Sequence, residues 1–360
     1  MRTDIEMIRI LRRKLHDIPE PSMQERKTKQ LLMDFLRKNT TLNIVDRGEW
    51  FYAQYQGKDT GDVVAFRADY DAVVGKDGCA RHICGHDGHS AILAGFALEL
   101  EKIAPRQNVY LIFQPGEETG QGALLCAELI EECRIKEIYG MHNIPGYAQN
   151  QILLLDGAFA CASTGMEIRI QGIPSHAAYP EQGRNPACVI ADLIVYMNAV
   201  VRERHRGIVL GTVIGIDVGS KSYGVSADSG VLRLTLRAEY QEEYDELVKK
   251  IEERAKQKSS EEGMKCSVRW IEPFPATIND PACVRKVKNV AQSLGLSVTT
   301  PKEPFRWSED FGCYLQKTRG AFFGVGIGKS CPGLHTEEYE FHDAIIGTVI
   351  DMYAGLLNQN

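Results

Sequence analysis

The feature that most limits what this chain can fold into is an alternation, from residue 62 to residue 143, of short apolar runs with stretches long enough for helices. DVVAFRAD at 62–69, NVYLIFQ at 108–114 and KEIYGMHN at 136–143 read as strands. CGHDGHSAILAGFALELEKI at 84–103 and the stretch 121–133 read as helices. Strands separated by helices of this length predict βαβ units around a mostly parallel sheet flanked by helices. Upstream, IEMIRILRRKLHDIPEPSMQERKTKQLLMDFLRK carries two amphipathic helical patterns separated by Pro19 and Pro21.

From Gly165 to about Glu272 the rhythm changes. GMEIRIQG reads as a strand, NPACVIADLIVYMNAVVRER as a helix, and GIVLGTVIGID and GVLRLTLRAEY as consecutive strands. A helix follows, with Tyr244, Leu247, Val248, Ile251 and Ala255 at helical spacing, and KCSVRWIE closes the segment as a strand. The order β-α-β-β-α-β is that of a ferredoxin-like split βαβ unit. After EPFPATIND the helix-then-strand rhythm resumes, ending with AFFGVGIG and a final helix from His342. The expected architecture is an α/β domain built from 1–164 and 273–360, interrupted by an inserted ferredoxin-like α+β domain at 165–272.

Charge narrows the function classes. The 360 residues carry 42 Lys+Arg against 48 Asp+Glu, a net charge of −6, so no basic footprint for nucleic acid is expected. No uncharged apolar run approaches the ~20 residues that span a bilayer, and the interleaved charges of MRTDIEMIRILRRKLHD leave no secretory h-region. The expectation is a cytoplasmic chain without a membrane span. Its ten cysteines then read as reduced thiols and not as a disulfide framework.

Four features carry metal-ligand residue types at or just after strand ends, where open α/β sheets bind ligands. They are Asp69 and Asp71 in FRADYDA; Cys84, His86, Asp87 and His89 in CGHDGH; Glu117 and Glu118 in FQPGEETG; and His142 in GMHN. Cys84 and His86 set a soft ligand and an imidazole two residues apart across a flexible glycine. Adjacent side chains of a strand point in different directions, so one of Glu117 and Glu118 could bind metal while the other faces a water as general base. Each feature has a plainer reading: turn aspartates, a solvated helix start, a satisfied core histidine. Their convergence at strand ends favours the metal reading.

His335, after the loop GIGKSCPG, could complete such a site across the chain interruption. His342 reads as exposed, His82 and His89 as outside the ligand set, and His16 and His205 as surface residues. There is no G-x-S-x-G elbow and no phosphate loop, and Pro332 rules out a dinucleotide loop at Gly324, Gly326 and Gly328.

In order along the chain, RRKLHDIPEPSMQE, RADYDA, HICGHDGH, FQPGEETGQGA, GMHN, IPSHAAYPEQGRNPA, SEDFG, FFGVGIG and LHTEEYEFHD resemble the amidohydrolase branch of the aminoacylase/carboxypeptidase metallopeptidases. That branch includes hippurate hydrolases, indole-acetyl-amino-acid hydrolases and N-acetyldiaminopimelate deacetylases. The resemblance implies a catalytic domain holding two divalent metal ions, manganese or zinc first, with cobalt or nickel open. It implies Cys84 as a bridging thiolate, with His86, Glu118, His142 and His335 as terminal ligands. Glu117 would be the general acid/base, Asp71 would orient a ligand, and His176 would reach over the substrate from the inserted domain, a lid that often also forms a homodimer interface. RADYDAVV and RHICGHD vary the surroundings of the functional letters. Gly224, in SYGVSADSG, falls where an asparagine that helps hold substrate is expected.

The implied reaction is metal-dependent hydrolysis of the amide of an N-acyl amino acid, with a dipeptidase or carboxypeptidase as the alternative. A homologue that binds metal or ligand without turnover is a third reading, disfavoured by the intact Glu117–Glu118 pair. A substrate carboxylate calls for an arginine, and Arg237, Arg184 and Arg306 are the candidates.

Overall fold

A computed structural model of the chain describes residues 4–58 and 62–358. Contacts divide it into two compact units, one of 1–159, 277–304 and 309–360, the other of 160–276 and 305–308. Residues 1–3, 59–61 and 359–360, all part of the first-domain reading, lie outside the described residues, and the units are described without them.

The first unit is organised by an eight-stranded mixed sheet. Its order is Asn43–Asp46, Phe51–Tyr55, Asn108–Gln114, Val63–Asp69, Glu137–Pro145, Arg319–Gly328, Ile152–Leu153, Val298–Thr299. The strands from Asn108–Gln114 to Arg319–Gly328 run parallel to one another, as the βα alternation predicts, and antiparallel neighbours flank them. Val63–Asp69 is buried at every position, which is why it reads as a continuous apolar run: helices cover both faces of a parallel sheet.

Helix His86–Ile103 is apolar nearly all round and buried from His86 to Ala97, the pattern of a helix inside a domain and not on its surface. Helix Ile5–His16 instead buries one stripe, Ile8, Leu11 and Leu15, and Asp4 caps it by accepting from the N–H of Glu6 at 3.0 Å. The expected helix over 121–133 is two short ones, Gly122–Cys126 and Glu128–Glu132. The last helix starts at Ile346, after a single 3₁₀ turn at Asp343–Ile345, and not at His342.

The second unit is a four-stranded antiparallel sheet in the order Val209–Val218, Ser229–Ala238, Ala162–Gln171, Lys265–Phe274, with helices Pro186–Val200 and Gln241–Glu261 packed on one face. Ser229–Ala238 alternates strictly, burying Gly230, Leu232, Leu234, Leu236 and Ala238 against the helices. Its first strand begins at Ala162, ahead of Gly165, because Ala162 already pairs with Ala238. Tyr244, Leu247, Val248, Ile251 and Ala255 are the buried stripe of the long helix.

Candidate metal centre

The parallel strands of the first unit deliver their carboxyl ends to one place. Asp69 ends its strand, Glu117 and Glu118 follow Gln114, and His142 lies near the end of Glu137–Pro145. Cys84 precedes the helix that begins at His86, and Gly85 between them has φ +103. A Cβ on Gly85 would lie 2.5 Å from Asn143 Oδ1 and 2.6 Å from the Tyr339 hydroxyl. Only glycine lets the thiol and the imidazole turn to the same side there. His335 arrives on a loop, also in the left-handed region at φ 63, with its N–H donated to the Ile83 carbonyl at 2.8 Å. A non-glycine residue held so is strained, a condition that tends to occur at functional sites.

The ligand atoms of Cys84, His86 and His142 lie within 4.8 Å of one another, as do those of Cys84, Glu118 and His335. Cys84 is common to both sets. Its Sγ is 3.5 Å from His142 Nε2, and His335 Nε2 is 3.3 Å from Glu118 Oε1. Among the described residues, two buried polar atoms of this cluster lack a hydrogen-bond partner: His86 Nε2, and Glu118 Oε1, which meets His335 as an ion pair. Buried polar atoms are normally paired, so orphans aimed at a shared space among thiol, imidazole and carboxylate fit a cation. Burial pushes the Cys84 thiol up to about 11, with the Glu118 carboxylate adding to it. A bound divalent cation reverses that balance in favour of the thiolate.

The ring orientations are fixed from behind. His86 Nδ1 is 2.8 Å from Asp71 Oδ1, which leaves Nε2 to face the cluster. Asp71 Oδ2 accepts from Ser22 Oγ at 2.7 Å and from the N–H of Glu118 at 3.0 Å. His142 Nδ1 meets the Asn143 carbonyl at 2.9 Å. His89 bridges Asp69 and Asn143, and Asn143 donates to the Tyr339 hydroxyl.

Glu117 Oε2 and Glu118 Oε1 both lie 3.8 Å from His86 Nε2. The expectation that alternation along a strand would separate them is therefore corrected. The strand ends at Gln114, and both glutamates sit in the following turn, where Gly116 adopts φ +57. Burial, with the Glu309 and Glu118 carboxylates nearby, raises the Glu117 carboxyl well above its usual range.

Behind Glu117 lies a buried network that the sequence did not disclose. Arg67 pairs with Asp69 at 2.7 Å, Glu309 at 3.0 Å and Asp310 at 2.5 Å, while Gln114 holds both Arg67 Nε and Asp310. Glu309 and Asp310 stand in the SEDFG motif, but nothing local shows that they are buried or which arginine they meet.

Other expectations about histidines need revision. His16 is not a plain surface residue: its Nδ1 is 2.8 Å from the buried Asp87. For His82 no revision is needed: it is in none of the ligand groups, and it is buried with neither ring nitrogen hydrogen-bonded among the described residues. His342 is half-buried beside Cys331, at 3.4 Å from Nε2 to Sγ. His205 is half-buried and meets the Val200 carbonyl at 2.9 Å.

The remaining predicted residues belong to the second unit. His176 Nδ1 accepts from the Ala178 N–H at 3.1 Å and its ring lies beside Tyr179. Arg237 is half-buried, and its Nη1 donates to the Arg306 carbonyl at 2.9 Å and to Ser308 Oγ at 2.8 Å. Burial lowers the Arg237 pKa, with no carboxylate to oppose it. Arg184 is exposed and donates to the Gly183 carbonyl, and Arg306 is exposed. Nothing lies within 4 Å of a Cβ placed on Gly224.

Residues 65–359 match the peptidase family M20/M25/M40. The chain belongs to this family. An uncharacterized hydrolase of Staphylococcus saprophyticus is 28% identical to this M20-family chain, covering 99% of it and 97% of the relative. A putative aminohydrolase from methicillin-resistant Staphylococcus aureus superposes with a TM-score of 0.87 at 20% identity, covering 98% and 96% of the two chains. A dinuclear metal binding peptidase of the M20 family from Bacillus subtilis gives 0.81 at 23% identity, covering 98% and 97%. The M20-family chain is a metal-dependent hydrolase of the amidohydrolase/peptidase kind. Among its described residues no helix is long and apolar enough to cross a membrane.

Proposed function

We propose that this chain hydrolyses the amide bond of N-acyl amino acids at a centre of two divalent metal ions. The observation that carries the reading is the pair of ligand sets sharing Cys84, with the orphaned His86 Nε2 and Glu118 Oε1 between them. Cys84 would bridge, and His86, His142, Glu118 and His335 would complete the two ends. Thiolate and imidazole favour zinc over magnesium, with manganese, cobalt and nickel as the alternatives. When bound, such ions polarise the scissile carbonyl and acidify water.

The chain's own residues supply the rest. Glu117 takes the proton of the attacking water and delivers it to the leaving nitrogen, a role that a buried carboxyl with a raised pKa suits near neutral pH. Asp71 holds His86 Nδ1 and so leaves Nε2 free to face the cluster of thiol, imidazole and carboxylate that would hold the metal. His176 donates a hydrogen bond to the oxygen of the carbonyl under attack. Of the three arginines, Arg237 is the one assigned to a substrate carboxylate, because it is half-buried and its hydrogen-bond partners are a carbonyl and a hydroxyl, not a carboxylate.

The test is metal-stripped protein assayed on N-acetyl and N-benzoyl amino acids and on dipeptides, with zinc, manganese, cobalt or nickel returned one at a time. Restored hydrolysis of the acyl amino acids supports the reading. Restored hydrolysis confined to dipeptides moves the chain to the peptidase alternative, and activity indifferent to chelation refutes the metal centre.

A further inference from the structure

The segment Pro19–Glu25 between the first two helices touches the candidate centre at four successive points. Ala72 donates its N–H to the Glu20 carbonyl at 2.9 Å, directly after Asp71. Ser22 Oγ donates to Asp71 Oδ2 at 2.7 Å. The Met23 side chain lies under Gly116, where a Cβ would come within 2.5 Å of its sulfur. Glu25, 5% exposed, accepts from the Gly116 N–H at 2.7 Å and from the Met23 N–H at 2.9 Å with the same oxygen, Oε1.

Both donors sit on unusual backbone. Gly116 has φ +57 and Met23, a residue with a Cβ, has φ +65. Met23 holds that conformation only if its surroundings over-determine it. Glu25 does so from one atom, clasping the turn that presents Glu117 and Glu118 to the turn at Met23. Helix Arg26–Asn39 starts immediately after and has no side-chain cap of its own, so the carboxylate of Glu25 points away from its helix towards Pro115–Gly120. Burying this carboxyl costs free energy that the two N–H bonds offset, so the group and its two donors hold one another in place.

We propose that Pro19–Glu25 is a strap that pre-organises the catalytic turn, with Glu25 as the positioning residue that fixes where Glu117 and Glu118 stand. The inference rests on the proposed hydrolase reading for its kinetic arm only. Glu25 touches neither substrate nor metal, so its loss acts through the turn: kcat falls while substrate binding is kept. Because a single oxygen accepts both bonds, an amide oxygen can replace it, and Glu25→Gln keeps what Glu25→Ala removes.

The experiment compares wild type, E25A and E25Q in two measurements. Amide hydrogen exchange is read across 115–121 in the metal-free chain, and kcat and KM are read in the metal-loaded enzyme with an N-acyl amino acid. In E25A the turn is expected to exchange about tenfold faster or more, and kcat to fall about 10–100-fold with KM within about twofold. E25Q is expected to return both towards wild type. Should E25A fail to fold, Glu25→Asp, whose shorter side chain withdraws the oxygen from Gly116, is expected to show the same losses. Exchange across 115–121 unchanged in the Ala or Asp variant, or a Gln variant as impaired as the Ala one, would overturn the strap. If wild type turns over no acyl amino acid, the exchange arm still decides the strap, and it is the substrate reading that fails.

Discussion

Two ion-pair clusters in this molecule have mirrored composition and opposite surroundings. In the first unit one arginine, Arg67, faces three carboxylates, Asp69, Glu309 and Asp310, with every side chain at most 1% exposed. In the second unit one carboxylate, Glu167, itself 6% exposed, faces three arginines, Arg169, Arg233 and Arg269, whose side chains are 40–69% exposed. Water screens the excess charge of the second cluster, so its ion pairs are individually weak. Nothing screens the first, and protonation absorbs the excess: burial pushes Glu309 up to about 8 and Asp310 up to about 6, even with Arg67 beside them. The lesson is where charge is worth burying. The first cluster lies beside Glu117, and two of its acids, Glu309 and Asp310, add to the burial that raises that carboxyl, whereas the second covers the open face of a sheet.

The largest effect expected from this contrast is on turnover. Glu117→Gln should lower kcat by about 10²–10⁴-fold, the range of a lost general acid–base group. Metal content of the variant, measured after dialysis, should match wild type. Activity near wild type would remove Glu117 from its role and leave the buried acidic region without a function.

Next in size is stability. Arg67→Leu leaves three buried acids without their cation and should cost about 3–5 kcal/mol in a denaturant titration. An unchanged midpoint would mean that the acids are protonated throughout and that the cluster does not depend on its arginine.

A smaller effect is pH-dependent. Burial and the neighbouring Asp71 push the Glu25 carboxyl up to about 7, above its value in an unfolded chain. Between roughly pH 4.5 and 7 the folded chain therefore holds a proton that the unfolded chain has released. Raising the pH through this window lowers stability, and acidification restores it. In chelator-treated protein the fall in melting midpoint from pH 5 to pH 8 should be smaller for Glu25→Gln than for wild type. Equal pH slopes would show that Glu25 does not titrate there.

The smallest effect closes the comparison. Glu167→Gln should leave kcat and KM unchanged and shift the melting midpoint little, because its partners are open to water. A loss comparable to that of Arg67→Leu would end the distinction between the two clusters.

By itself, the sequence determined the parts whose signal is local. Apolar runs separated by helical stretches set the parallel centre of the sheet, since burial on both faces demands continuous hydrophobic strands. Strict alternation set the half-buried strand Ser229–Ala238. Asp69, Asp71, Cys84, His86, Asp87, His89, Glu117, Glu118 and His142 stand out together because thiol, imidazole and carboxylate gather at or just after strand ends, whereas the choice of Cys84, His86, Glu118, His142 and His335 as ligands comes from the family resemblance.

Tertiary structure alone decided which distant groups meet. Glu117 and Glu118 face the same imidazole because a left-handed turn at Gly116, and not strand pleating, carries them. Arg67 and Asp310 are 243 residues apart and Glu25 and Gly116 are 91 apart. No periodicity records such a pairing. His16 reads as a surface histidine until helix Ile5–His16 packs beside helix His86–Ile103 and brings it to Asp87. Sequence pattern reports the environment a residue will have relative to its own element. The partner of a buried charge is set by how elements pack, and at this centre the packing decides what the charge can do.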